Sequence, residues 1–443
     1  MSKPSSLGRP VAVPSNRAQR AARFGGMVLN LASSVAVQHA QGMWRGERRE
    51  LRDYLLTPNN IIRVTNELAR MRGAAMKLGQ LISMDAGDLL PPELAQIMAR
   101  LRADADFMPP AQLKRVLTQA WGPNWLGRFK SFNVRPIAAA SIGQVHRATL
   151  KDGQDVAIKV QYPGVARSID SDVANVSTLI KLSGLIPEGF EIAPYVEEAR
   201  KQLHEETDYL LEAEHMRAFK RLLASSGRYD LPDVHDDLTI GSVLTMSYIE
   251  SQPLEDLSAL DQALRDQIST DLIALAMREL FEFRMIQSDP NFANFRFNAT
   301  TGQLVLLDFG ATRQIDAAIA QTYRDLIRAG LSNQTEHMQV AGRQLGLWTD
   351  TTHPAHVRQL THMMQMLFDS ICAHENFDFA DQTLMRRMNQ EGISLAESGF
   401  VPPPVPMDVL FVQRKLAGVF LIASNLKARL PLQRVLRNGL DAR

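Results

Sequence analysis

The residue types best able to do chemistry fall in residues 287–310, which read Q-S-D-P-N-F-A-N-F, cross a short polar turn, and resume as V-L-L-D-F-G. Asp289 precedes Asn294 by five positions, and Asp308 closes the apolar run of residues 304–307. A hard cation such as Mg²⁺ prefers oxygen ligands, so Asp308 and Asn294 can hold one by their side-chain oxygens while phosphate oxygens complete its shell. Asp289 then remains to orient an attacking hydroxyl or water. Either short motif arises by chance in unrelated chains. Both together, in this order and at this spacing, point to transfer or hydrolysis of a phosphoryl group.

The elements that must position these groups are legible nearby. Thr301-Gly302 supplies turn chemistry between two alternating segments, so a β-hairpin carries the chain from Asn294 to Asp308. Upstream, residues 137–145 and 156–160 read as strands joined by the turn Lys151-Asp152-Gly153, with Lys159 near the end of the second. Set against the kinase pattern G-x-G-x-x-G-x-V, Ala138 and Ala140 stand where the first two glycines would, Gly143 and Val145 match, and Ala139 and Ser141 complete a small-residue loop. Alanine keeps such a loop small but restricts positive φ, so it should be stiffer and approach phosphates differently. A small-residue hairpin packed closely on a helix is the competing reading; Lys159 on the next strand favours nucleotide.

Pro194 opens a segment that reads as one helix to about Leu223, carrying Glu206, Asp208 and Glu212. In an unbroken helix Asp208 and Glu212 share a face, and Glu206 lies roughly 160° from Asp208. A lysine that draws α- and β-phosphates into place needs a helix carboxylate to hold its ammonium, and Glu212 is the choice here. The plainer reading is a solvated acidic face balanced by Arg217 and Lys220. Residues 231–248 read as strands around an Asp236-Asp237 turn, and Glu250 falls where a kinase hinge would meet nucleotide. Helical periodicity marks 271–284, 318–329, 335–345, 354–368 and 409–422. A mainly β half followed by a helical half is the bilobal α+β plan of protein kinases.

The part before this plan reads as helical. Residues 1–14 are rich in proline and serine and read as a disordered tail; 15–130 form a helical extension, 131–250 a first lobe and 251–443 a second. Ser15 can cap a helix with Arg17, Arg20 and Arg23 in its first turns and Met27, Val28, Leu31 and Val35 on one side. That combination suits an anionic membrane surface or packing on the protein itself, with equal weight. Further helices are expected over 58–84, which contains Lys77-Leu78-Gly79-Gln80, over 89–102, and from Pro109-Pro110 through Ala120.

Composition narrows the class. A net charge of +1 argues against a general nucleic-acid binder, and the single cysteine, Cys372, rules out a disulfide within the chain and reads as a helix-core residue rather than a nucleophile. A reducing compartment is expected. No stretch reaches the roughly 18 apolar residues that span a bilayer, and residues 24–37 come nearest. The first residues lack the apolar core and cleavage site of a secretory signal. The expected setting is the cytoplasm, extending to a peripheral position at the inner face of a membrane.

Taken in order, these segments resemble the UbiB or AarF family of atypical kinase-like proteins, and within it the coenzyme Q branch that includes the ADCK proteins. The resemblance rests on Lys77-Leu78-Gly79-Gln80 for the K-x-G-Q motif, Ala138-Ala139-Ala140-Ser141 for the alanine-rich loop, V-A-I-K ending at Lys159, Glu206-Thr207-Asp208 for the E-x-D motif, Asp289 with Asn294, and Asp308-Phe309-Gly310. It covers about Ala18 to the C-terminus. Gln287-Ser288 and Asn291 depart from the histidines of many bacterial relatives, as that branch does, and the C-terminal membrane spans of bacterial UbiB are lacking.

The resemblance implies that the K-x-G-Q helices fold over the nucleotide site, that Lys77 approaches Glu206 and Asp208 with Gln80 beside it in a regulatory role, and that protein substrates are excluded. It implies ATP or ADP with Mg²⁺ as cofactors, ATP hydrolysis coupled to ubiquinone biosynthesis, and a membrane surface, lipid or quinone precursors, and ubiquinone-biosynthesis proteins as partners. Two other functions fit the residues: a small-molecule phosphotransferase of the aminoglycoside or choline kinase type, and a nucleotide-binding scaffold without turnover.

Overall fold

A computed structural model describes Gly26 and residues 72–86, 107–182, 192–254 and 260–441. The tail over 1–14, the basic helix from Ser15 and the helix over 89–102 lie outside the described residues. The chain divides into two compact units, one holding the described residues through Glu214 together with Asp233–Tyr248, the other His215–Pro232 and Ile249 onwards.

The first unit is built on an antiparallel sheet of β1 (Phe129–Phe132), β2 (Ala138–Ala139), β3 (Gly143–Leu150) and β4 (Asp155–Gln161). After an excursion that gives β5 (Tyr229–Asp230) to the other unit, β6 (Val243–Ser247) completes it in the order β1-β3-β4-β6, with β2 paired to β3. Its helices are α1 (Arg72–Ala86), α2 (Pro110–Trp121), α3 (Val165–Leu182), α4 (Ala193–Glu206) and α5 (Tyr209–Leu223), the last running on into the second unit. Strand alternation sorts the two faces of β4. Val156, Ile158 and Val160 join Leu113 and Leu117 of α2, Trp125 and Phe129 in one core. Lys159 therefore projects from the other face. The Phe129 and Phe132 rings of β1 meet edge to face in this aromatic group, 5.6 Å apart.

A buried polar relay crosses that core. Gln144 accepts from Met108 N at 2.8 Å and donates to His146 Nε2 at 2.8 Å, so Nδ1 carries the ring proton and donates to the Asn133 carbonyl at 2.8 Å. Burial pushes the imidazole down to about 4 from an ordinary 6.5, against the smaller opposing effect of the Asn133 bond. Between those two values the unfolded chain binds a proton that the folded one refuses, so stability falls as pH drops through that window. The expected loss by pH 4 is about 3 kcal/mol. It should be visible in denaturant unfolding curves as a pH-dependent difference between wild type and His146→Gln.

Beyond β6 the second unit resumes with β7 (Gln252–Pro253) and α6 (Gln262–Arg278), which Asp261 starts by accepting from Leu264 N at 2.8 Å. This helix was expected only from Asp271; the cap at Asp261 sets the earlier start. It does not run on to Arg284 as an α-helix: residues Glu279–Phe283 form a wider π turn, and Arg284 stops it with a φ of 49°. There follow β8 (Met285–Gln287), β9 (Phe295–Asn298), β10 (Gln303–Leu306) and β11 (Thr312–Gln314). The hairpin expected around Thr301-Gly302 is β9–β10, with Gly302 in the left-handed region at a φ of 70°. Strands β5, β10, β9 and β7 form one sheet, and β8 pairs with β11.

Six helices complete the described part of this unit: α7 (Ala317–Leu331), α8 (Thr335–Gln344), α9 (Pro354–Cys372), α10 (Thr383–Glu397), α11 (Met407–Asn425) and α12 (Leu432–Asp441). Helix α6 packs on α11 and α12. Cys372, expected within a helix core, is exposed at the end of α9, where partial burial still pushes its thiol up. The first unit's α1 to α6-preceding helices and sheet, with this helical second unit, make a protein-kinase-like α+β fold.

Candidate functional site

In the first unit the groups converge on the face of the sheet opposite the α2 core. Lys159 lies across from Val145 on β3 and Leu244 on β6. Residues directly opposite in antiparallel strands share a face. The Lys159 ammonium reaches both Glu212 oxygens, at 2.8 and 2.9 Å, and lies 5.2 Å from the centre of the Tyr209 ring. Glu212 is 1% exposed and Lys159 9%. A charge pair this deeply buried is costly to desolvate and is held by its double contact.

The small-residue loop is the hairpin between β2 and β3. Ala138 pairs with Val145 and Ala139 with Gln144, and Ala140 N donates to Gly143 O at 2.8 Å around Ser141. Gly143 is needed for close approach rather than for backbone conformation: a Cβ there would lie 2.5 Å from Val160 O and 2.8 Å from the Tyr209 hydroxyl. Helix α1 packs on α3 and α4 and also meets this loop, since a Cβ on Gly73 would stand 3.1 Å from Ile142 Cγ2 and 3.6 Å from Ser141 O. Lys77, buried on α1, forms an ion pair with Glu206 at the end of α4. Gln80 lies on the same helix, with its side chain outside the described residues.

The single helix expected from Pro194 to Leu223 is two. Thr207 ends α4 by donating its hydroxyl to His204 O at 2.8 Å, and Asp208 starts α5 by accepting from Leu210 N and Leu211 N at 3.1 and 3.2 Å. The break voids the helical-wheel relation expected between Glu206 and Asp208. It also commits Asp208 to capping, while Lys77 meets Glu206. Gln161, which sequence reasoning missed, fastens the break to β4 by donating to Thr207 O at 2.6 Å and Gly241 O at 3.0 Å.

In the second unit the loop that carries Asp289 is held from several sides. Its carbonyl accepts from Asn291 N at 2.8 Å and from Gln287 Nε2 and Asn294 Nδ2 at 2.9 Å each. With Nδ2 so committed, Oδ1 is the Asn294 atom that would meet a cation, which suits a Mg²⁺ ligand. Asp308 accepts from Gly310 N at 3.0 Å through one oxygen. Ser288 ties the two segments together, its N and Oγ both donating to Ala311 O at 2.9 and 2.8 Å, while Gln287 pairs with Thr312. Phe309 is buried with its ring 5.0 Å from Phe219 of α5.

Among the described residues no three His, Cys, Asp or Glu side chains gather as a metal centre. A cation held by Asp308 and Asn294 would thus depend on phosphate oxygens for the rest of its shell. Glu250 is exposed, just past β6 where the division between the units falls.

Helix α11 supplies groups that sequence reasoning missed. Arg414 Nη2 lies 2.5 Å from Asp289 Oδ1. The neighbouring Lys415 pairs with Glu279 of the π turn at 2.7 Å, with 3% and 1% of their side chains exposed, and Glu279 also accepts from Gln287 N at 3.2 Å. Burial pushes the Glu279 carboxyl up, and the Lys415 ammonium opposes that. The available signal was an Arg-Lys pair inside an otherwise apolar helix, where a charge is buried only if paired.

A strand lysine paired with a helix carboxylate, and a helical unit carrying D-x-x-x-x-N and D-F-G, define the class as protein-kinase-like. Residues 100–341 match the ABC1 atypical kinase-like domain, and the chain belongs to that family. It is 35% identical over 421 residues to the mitochondrial atypical kinase COQ8B of Danio rerio, covering 94% of this chain and 67% of that one. To the mitochondrial atypical kinase COQ8 of Saccharomyces cerevisiae it is 33% identical over 421 residues, covering 94% and 83%. Among solved structures it resembles Rv3197 of Mycobacterium tuberculosis, determined with erythromycin, at 26% identity and a TM-score of 0.63, covering 85% of this chain and 94% of that one.

Proposed function

We propose that this protein is an atypical kinase that binds ATP or ADP with Mg²⁺ and hydrolyses ATP in support of ubiquinone biosynthesis. The observation that carries the reading is the buried Lys159–Glu212 pair in a chain that also keeps Asp289, Asn294 and Asp308. Lys159, held by Glu212, draws the α- and β-phosphates into place, and the loop of Ala138, Ala139, Ala140, Ser141 and Gly143, with Val145 behind it, covers them. Glu250 contacts the nucleotide at the hinge. Asp308 and Asn294 hold Mg²⁺, which neutralises charge on the phosphate oxygens when bound. Asp289 orients water or a small acceptor hydroxyl.

Lys77, Gln80, Glu206 and Asp208 regulate access in this reading. The Lys77–Glu206 pair and the seat of α1 on the loop at Ser141 support a site closed to protein substrates. They also favour it over a small-molecule phosphotransferase, which has no use for such a helix. No described helix is long and apolar enough to cross a membrane. Peripheral attachment at the inner face, through the basic segment from Ser15, would bring the protein to lipid and quinone precursors and to partner proteins of the pathway. The relatives COQ8 and COQ8B are mitochondrial by name.

Quinone profiling tests this in a strain lacking its own family member. Wild type should restore ubiquinone, and Asp308→Asn should give less than about a tenth of that level, as expected when a Mg²⁺ ligand needed for phosphoryl transfer is removed. Equal rescue by the two would contradict the reading.

A further inference from the structure

Helix α11 lies beyond the residues that match the family domain, yet it touches the Asp289 loop at successive positions. Arg414 and Gly418 are four apart and so share a helix face. Arg414 holds the Asp289 carboxylate, and a Cβ on Gly418 would fall 2.2 Å from Pro290 Cγ and 2.6 Å from its Cβ, so the helix backbone lies directly on Pro290. Lys415 reaches the same loop through Glu279 and Gln287 N.

These contacts divide the work of holding Asp289. Three donors fix its carbonyl, which sets the backbone but leaves the side chain free to turn. The guanidinium on Oδ1 removes that freedom. Both side chains are mostly shielded, 15% exposed for Arg414 and 25% for Asp289, so the contact is not one of the exposed pairs that contribute little. A group that must meet an acceptor in one orientation gains rate from being held there beforehand.

We propose that Arg414 is the positioning residue for Asp289, and that α11 thereby belongs to the phosphoryl-transfer machinery. This rests on the reading of Asp289 as the residue that orients the acceptor. With one oxygen anchored by Arg414, the other is presented to the water or hydroxyl. The planar fork of arginine fixes direction as well as charge, and a lysine would supply the charge alone.

Mg²⁺-dependent ATP hydrolysis by the full chain, with ATP affinity measured separately by titration, tests the assignment. Arg414→Gln should lower kcat about 10- to 100-fold while the ATP Kd stays within about threefold, the split expected for an interaction that acts on the transition state. Arg414→Lys should recover part of the loss. Asp289→Asn sets the floor, and adding Arg414→Gln to it should cost little more, because the two act as a unit. Wild-type kcat in Arg414→Gln beside an inactive Asp289→Asn would overturn the proposal and leave the functional reading standing. So would a loss of kcat matched by an equal loss of ATP affinity or of folded protein. A wild-type protein without Mg²⁺-dependent turnover would overturn both.

Discussion

Replacing Lys159 with methionine is expected to destabilise the first unit by about 3–5 kcal/mol, the usual consequence of removing one member of a buried ion pair. Both Glu212 oxygens contact the Lys159 ammonium, and Glu212 is 1% exposed, so the carboxylate cannot recover the lost partner from water. Methionine fills most of the space, which confines the effect to charge. Denaturant unfolding of Lys159→Met and wild type at neutral pH checks it. A double variant with Glu212→Gln should regain much of the loss; a variant as stable as wild type at neutral pH would show the pair to be dispensable. ATP affinity should fall as well, since Lys159 is the residue proposed to draw the phosphates into place.

Lys415→Met is expected to be as costly, again about 3–5 kcal/mol. Its ammonium lies 2.7 and 3.0 Å from the Glu279 oxygens, and the pair is almost completely enclosed. Glu279 already has its carboxyl pushed up by burial, with Lys415 the main opposing influence. Removing that influence raises it further, so the variant's deficit should widen as pH rises above the ordinary carboxylate range. Because Glu279 also accepts from Gln287 N, the damage should reach the Asp289 loop. Thermal unfolding followed by fluorescence measures the first effect, and ATPase activity below the unfolding transition measures the second. Lys415→Met with Glu279→Gln should be closer to wild type than either change alone, because no buried charge is left.

The parts of the fold set by local pattern were legible in the sequence. Alternation put Val156, Ile158 and Val160 on one side of β4 and Lys159 on the other, and Gly153 and Gly302 marked the two hairpins. Helices with a buried stripe were visible over 318–329, 335–345, 354–368 and 409–422. Helix α10 was not anticipated, although Leu384, Met388 and Leu395 recur at helical spacing; of these only Leu395 is fully buried. Helices α3 and α12 were also missed, although the buried Leu432, Val435, Leu436 and Leu440 of α12 do follow a helical period.

The break at Thr207-Asp208 was hidden for a different reason. Apolar spacing continues across it, and the interruption comes from two short side chains that bond to backbone in opposite directions. In the candidate site, order and spacing nominated Asp289, Asn294 and Asp308, and the place of Lys159 on the strand after the small-residue loop nominated it by analogy with the kinase pattern. The contacts of α11 could not be found that way: Lys415 and Glu279 are 136 residues apart, and Arg414 and Asp289 are 125 apart. Only folding brings such residues together, and the periodicity of either segment carries no trace of its partner.

The most direct test is a calorimetric titration of the full wild-type chain with Mg²⁺ and ATP or ADP, run beside Lys159→Met and Asp308→Asn. One nucleotide should bind per chain, with affinity falling at least about tenfold when Mg²⁺ is chelated or Asp308 is replaced, the loss expected when a charge-assisted ligand to metal and phosphate is removed. No binding by wild-type protein, or binding indifferent to Mg²⁺ and to both substitutions, would contradict a nucleotide site built from these residues.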